Sequence, residues 1–335
     1  MIIALRQYSL FILAAILISS CSNDKKTEET SPINDPLVIE LTNKINQDPK
    51  NAKLFYDRAL MLQRLHEDSL AINDYKKAIS LDSTKAEYYS AIGDLLFEHK
   101  DITGSLTWLE KAVKLNPKDP RAQLKIAKMF IFINEYNKAF DAINTVLRQD
   151  VYNAEAYYLK GVTYKNIKDT AKAISSFQTA LNSRPDHRES LIQLGTLYSA
   201  KADPLAIKYY ESAFRVDTTD VSPIYFIGLY HRDRNDFAKA KEEFIRAIGK
   251  DKNFSDAFFG MGWILMQQDS IEKARRQFDI VTGIEPNNPD GWYNRGLCSE
   301  MLGEKQKAIA DYEQALAFDP EYKNAIDGKK RLTGK

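Results

Sequence analysis

AEAYYLKGVTYKNIKDTAKAISSFQTALNSRPDH, residues 154–187, is the stretch from which the rest of the chain can be read. Counted from Ala154 as position 1, small residues stand at positions 8 (Gly161), 20 (Ala173) and 27 (Ala180), with an aromatic at 24 (Phe177). Pro185 follows at position 32, and Asp169 separates two runs whose apolar residues recur at helical spacing. The pattern describes two helices joined by a tight turn, in which an Asp side chain can cap the second helix.

Outward from this stretch, Pro117, Pro185, Pro286 and Pro320 are separated by 68, 101 and 34 residues, so a period of 34 holds with one residue missing between Pro185 and Pro286. A fixed period in this range marks stacked supersecondary units. Eight repeats tile the chain without remainder: 52–85, 86–119, 120–153, 154–187, 188–220, 221–254, 255–288 and 289–322. Position 8 is Gly or Ala throughout, and position 20 is Ala or, once, Ser105. Position 24 is large and apolar in every repeat, from Tyr75 to Tyr312, and position 27 is Ala or Val. Small against large at fixed spacing is what close packing of a helix pair requires. None of the eleven prolines interrupts a predicted helix; Pro32 and Pro36 are placed in a stalk, and the missing residue of repeat 5 is placed in its inter-helix turn.

These columns resemble the tetratricopeptide repeat over about 270 of the 335 residues, repeats 4 and 8 most fully (Tyr157, Gly161, Ala173, Phe177, Ala180, Pro185; Trp292, Gly296, Ala308, Tyr312, Ala315, Pro320). Departures such as Gln123 at position 4 are scattered. The resemblance implies an all-α fold, a right-handed superhelical α-solenoid of about eight helix-turn-helix repeats with capping helices at residues 37–51 and 323–335.

The segment before the repeats reads differently. Residues 10–18 are an unbroken apolar run after Arg6, too short to cross a hydrocarbon core of about 30 Å, which needs about 20 helical residues. A basic start, a short apolar stretch and small residues describe an export signal over residues 1–20. Those residues alone would also suit an ordinary secretory signal or a buried helix. The run ends in Ile18-Ser19-Ser20-Cys21, which resembles the lipobox of bacterial lipoproteins. That resemblance implies cleavage before Cys21 and acylation of Cys21 with chains such as palmitate. It also implies, from Ser22, sorting to the outer membrane, on the periplasmic side. Residues 21–36 hold one large apolar residue beyond the Cys, Ile33, and read as a flexible stalk.

Composition narrows the function. Lys and Arg number 47 against 46 Asp and Glu, and loss of the signal removes Arg6, so no basic surplus exists to hold nucleic acid. Four scattered histidines and two cysteines show no metal-ligand spacing, and no cofactor or metal is expected. His66-Glu67 lacks a second His in register, Gly260-Met-Gly262 lacks a third glycine, and Cys298 falls inside a first helix with no paired base, so no enzyme activity is expected.

In relatives of the repeat, positions 2, 5, 9 and 12 line a concave groove that binds peptides or helices. Here positions 5 and 9 of repeats 4–8 supply Tyr158, Val162, Ile192, Tyr225, Leu229, Phe259, Trp263 and Tyr293 as a candidate partner-binding strip. Packing between neighbouring first helices would use the same rings, and both readings are open at this level. Position 5 lacks the Lys and Asn of repeats that clamp chaperone tails. The resemblance thus implies a non-catalytic, membrane-anchored scaffold or assembly factor of the bacterial cell envelope whose partners are envelope proteins. The alternative is a lipoprotein that captures a glycan or peptide.

Overall fold

The computed structural model describes residues 34–334, and all regular structure among them is helical. The expected signal (1–20), Cys21 and the stalk as far as residue 33 lie outside the described residues. The chain divides into two compact units, one ending at Leu81 and one beginning at Asp82.

The first unit holds α1 (Pro36–Gln47), α2 (Ala52–Arg64) and α3 (Asp68–Leu81). Pro36 opens α1 rather than closing the stalk. It needs no amide hydrogen there, and the Asp35 carboxylate accepts from the amides of Leu37 and Val38 at 2.9 and 3.1 Å. Helices α2 and α3 are tied by Arg58, which reaches the buried Asp74 through Nε and Nη2 at 2.6 and 2.8 Å.

The second unit continues with α4 (Ala86–Glu98), α5 (Ile102–Leu115), α6 (Pro120–Phe132), α7 (Tyr136–Gln149), α8 (Ala154–Asn166) and α9 (Thr170–Ser183). There follow α10 (Arg188–Ala200), α11 (Leu205–Val216), α12 (Ser222–Arg232), α13 (Phe237–Lys250), α14 (Ser255–Gln267) and α15 (Ile271–Ile284). Helices α16 (Pro289–Met301), α17 (Lys305–Phe318) and α18 (Lys323–Thr333) complete it. Each first helix packs on the second helix that follows it, and each second helix on the next first helix, which is the arrangement of an α-solenoid.

What sets the helix spacing is the meeting of position 8 with position 24. A methyl group added at Gly161, Gly195, Gly228, Gly262 or Gly296 would come within 3.0 Å of a ring carbon of Phe177, Tyr210, Phe244, Phe278 or Tyr312 respectively. All five rings are buried. The glycines are therefore required by close approach, not by backbone angle.

Backbone angle matters in the turn that follows each first helix. His66, Lys100, Asn134, Lys168, Ala202, Asn235, Asp269 and Gly303 all have positive φ, and all stand at position 15 of their repeats. At each of these turns the amide of the following residue returns five residues back, as in Asp169 to the Tyr164 carbonyl at 2.9 Å and Asp203 to the Tyr198 carbonyl at 2.9 Å. This is the Schellman closure of a helix C-terminus. The same following residue then caps the next helix: Asp101, Asp169 and Asp236 accept from Gly104, Lys172 and Lys239. In repeat 7 the acid stands one position earlier: Asp269 occupies the left-handed position, and Ser270 precedes α15.

Repeat 5 keeps this turn intact, with Ala202 in the left-handed region. Its missing residue is absorbed at the start of α11, where Ala206 and Ile207 bond back three residues, to Asp203 and Pro204. In repeat 4 the equivalent Ala173 bonds back four, to Asp169. A tightened first helical turn shortens the chain while leaving the small residue facing its partner.

The two kinds of glycine predict opposite outcomes. Gly228→Ala places a methyl against Phe244 and should cost about 1–3 kcal/mol, as overpacking does. Gly249→Ala meets nothing within 4 Å and should stabilise by about 0.5–1 kcal/mol. Urea unfolding followed by circular dichroism reads both; equal effects would refute the close-approach argument.

Candidate functional site

On the first-helix face, position 5 rings lean on the buried position 24 rings of their own repeats. Ring centroids lie at 5.6 Å for Tyr56 and Tyr75, 5.9 Å for Tyr158 and Phe177, and 5.6 Å for Tyr225 and Phe244. Phe259 and Phe278 follow at 5.3 Å, and Tyr293 and Tyr312 at 5.8 Å. Each outer ring thus gives part of its surface to packing and remains only half-buried.

The eight strip residues fall into local clusters. Tyr158 and Val162 pack beside Phe177 and Leu194, and Ile192 lies half-buried on α10. Tyr225, Leu229 and Trp263 gather around Phe244 and Ile264. Burial and the nearby Asp256 charge push the Tyr225 hydroxyl up to about 12. Trp263 meets Phe237 edge-on at 6.2 Å, and the Arg232 guanidinium sits 5.3 Å from its ring centre. Phe259 packs with Phe278 and Cys298, and Tyr293 lies 5.4 Å from Tyr322 as well as against Tyr312.

Between repeats 3 and 5 this face opens into a cavity of about 420 Å³ lined by Lys128, Ile131, Glu155, Tyr158, Leu159, Val162, Arg184 and Glu189. Positions 2 (Glu155, Glu189), 5 (Tyr158), 9 (Lys128, Val162) and 12 (Ile131) converge on it. Its floor is apolar and its rim carries both signs of charge, the composition of a site that holds a side chain by burial and orients its neighbours electrostatically.

At the edge of that cavity lies a buried imidazole. His187 caps α10, is fully buried, and lies with its ring tilted 38° to that of Tyr158, 5.2 Å between centroids. Its Nδ1 accepts the Ser190 amide hydrogen at 3.2 Å, so the ring proton sits on Nε2, which donates to Glu155 Oε2 at 3.2 Å. Lys128 Nζ stands 2.9 Å from Glu155 Oε1. The His187 hydrogen bond, followed by the Lys128 ammonium, holds the Glu155 carboxyl down at about 2 against the opposing effect of burial. Recurrent acids at position 2, among them Glu87, Glu155, Glu189, Asp256 and Asp290, were the available sequence signal for this feature.

Elsewhere, a second cavity of about 480 Å³ is lined by Arg275, Arg295, Ser299 and Asp311 among others. Its charges are internally paired: Arg295 reaches Asp311 and Asp279, each at 2.6 Å, and Arg275 reaches Glu304 at 2.6 Å. Cys298 is fully buried, and that burial pushes its thiol up to about 12, away from the reactive thiolate. No helix among the described residues is long and apolar enough to cross a membrane, and no three metal-ligating side chains cluster among them.

Family models of the tetratricopeptide repeat match residues 86–119, 154–187, 227–289 and 289–322. DnaJ homolog subfamily C member 7 of Mus musculus is 23% identical over 289 residues, covering 81% of this chain and 56% of that protein. Tetratricopeptide repeat protein 16 of Homo sapiens is 22% identical over 321 residues, covering 86% of this chain and 37% of its own length. The chain thus spans roughly half or less of these relatives. Among solved structures, a tetratricopeptide repeat protein from Parabacteroides merdae superposes with a TM-score of 0.55 at 15% identity, over 75% of this chain and 99% of that one. The C-terminal part of a repeat-containing protein from Cytophaga hutchinsonii gives 0.53 at 20% identity, over 70% and 97%. These two likenesses are of fold.

The Glu155 node makes a pH prediction. Its folded pKa lies below the ordinary 4.5, so the ionised carboxylate stabilises the fold above that value, and the contribution is lost as pH falls towards about 2. Glu155→Gln should be less stable than the parent at neutral pH, with the gap closing between about pH 4.5 and 2. Urea midpoints measured across that range check it; a gap that does not depend on pH would remove the ion-pair account.

Proposed function

Because the chain is built of tetratricopeptide repeats, a family of protein-interaction scaffolds, we propose that it is a non-catalytic scaffold or assembly factor of the bacterial cell envelope, holding segments of envelope proteins on its first-helix face. The observation that carries the reading is the cavity at Tyr158, where four repeat positions bring an apolar floor and a charged rim together. The half-buried rings at Tyr225, Phe259, Trp263 and Tyr293 extend the same face. A ring with one side packed is already ordered, so a partner can bury the other side with little entropy loss. Trp263 is the strongest anchor among them, since large aromatics dominate interface energies.

Anchoring is proposed on Ile18-Ser19-Ser20-Cys21. Acylated Cys21 would hold the protein to the periplasmic side of the outer membrane, and the residues before Asp35 would tether the repeats to it. Multiple acyl chains at about 0.8 kcal/mol per buried CH₂ suffice for stable attachment.

Two outcomes are expected. Cys21→Ala should abolish incorporation of labelled palmitate and move the protein from the membrane to the soluble fraction; retained label would discard the anchor. Phe259→Ala with Trp263→Ala should lower capture of crosslinked envelope proteins from intact cells by at least about 30-fold while helical content persists. Undiminished capture would discard the groove.

A further inference from the structure

We infer that the first-helix face of repeats 5–8 is built for an extended segment in which basic side chains are interspersed with bulky apolar ones; this rests on, and sharpens, the partner-binding reading. Position 2 is acidic in three of these four repeats: Glu189 on α10, Asp256 on α14 and Asp290 on α16. Each stands one helical turn before an apolar residue at position 5 (Ile192, Phe259, Tyr293), and residues three apart share a helix face.

Among the described residues, none of these acids is ion-paired with a Lys or Arg. The Glu189 side chain is 57% exposed and faces His187 Nδ1 at 3.5 Å, a nitrogen whose lone pair is occupied by the Ser190 amide hydrogen, so it offers no proton. Asp290 accepts from the neutral Tyr322 hydroxyl. Asp256 is pushed above the usual carboxylate range, by burial first and then by the charge of Glu285. Arg232, a cation on the same face, is committed to Asp233 at 2.8 Å and to the Trp263 ring.

Repeats 3 and 4 differ. There Glu155 is met by Lys128 and His187, and Lys165 donates to Gln193 at 2.7 Å. The charge character of the face therefore changes along the second unit, from balanced around the cavity to cation-seeking from Glu189 onward. Cationic side chains entering there would find carboxylates, with the apolar position 5 residues beside them to take the bulky ones. Neighbouring first helices lie roughly 10 Å apart. An extended chain rises about 3.3 Å per residue, so about three residues separate one repeat's contacts from the next.

The test uses the whole chain and fluorescein-labelled peptides of repeating Lys-Leu-Ser, Glu-Leu-Ser and Lys-Ser-Ser, with binding read by fluorescence anisotropy at low and moderate salt. Lys-Leu-Ser should bind at least about tenfold tighter than either of the others. The shape-preserving triple change Glu189→Gln, Asp256→Asn, Asp290→Asn should weaken it about tenfold and flatten its salt dependence, as loss of partner-facing charges does. Equal binding of Lys-Leu-Ser and Glu-Leu-Ser, both abolished by Trp263→Ala, would overturn the charge preference while leaving the groove in place. Lys-Ser-Ser binding as tightly as Lys-Leu-Ser would overturn it as undirected charge attraction, and failure of Lys-Leu-Ser to bind would overturn it outright.

Discussion

A large side chain at position 24 pressed against a small one at position 8 is the contact from which the rest of the architecture follows. Where the pair is aromatic and glycine, a single methyl cannot be inserted between the helices, so their separation is fixed by the ring. Once the ring is fixed, the position 5 side chain of the same repeat has a surface to lean on, and five repeats place an aromatic there with centroids 5.3–5.9 Å away. Half of that outer ring is spent on the stack and half remains available. The packing constraint and the candidate binding face are therefore consecutive layers of one arrangement.

Most of that arrangement is legible in sequence because close packing restricts residue size at fixed spacing. The columns at 8, 20, 24 and 27 mark which faces of each helix meet, and prolines mark where helices cannot continue. The turns are less legible. Position 15 adopts positive φ in all eight repeats, yet holds His66, Lys100, Lys168 and Ala202 as well as glycine. The Schellman closure dictates that angle, and its cost of about 1–2 kcal/mol for an ordinary residue is small enough for the surrounding structure to impose. The shortened repeat 5 shows the same hierarchy: the closure is kept and the next helix tightens.

The candidate site divides in the same way. Its apolar residues could be found by counting positions, but the burial of His187 could not. In sequence that residue belongs to a Pro-Asp-His stretch that resembles any solvated turn. In the structure the turn is covered by Tyr158, and the imidazole becomes both a helix cap and a donor to Glu155. Charge partners depend on which helix lies alongside, which a periodic sequence does not announce. Only with the pairs assigned does it emerge that Glu155 meets Lys128 and His187, whereas Glu189 faces an imidazole nitrogen that offers no proton.

The central claim is that partner segments are seated on the first-helix face of the second unit. Photocrosslinking residues introduced singly at Tyr225, Trp263 and Ile245 test it in intact cells. Ile245 is the control, an apolar side chain on the second helix α13 that is 60% exposed. The account predicts the same discrete protein adduct from positions 225 and 263 and none from 245. Equal adducts from all three positions, or an adduct from 245 alone, would contradict it.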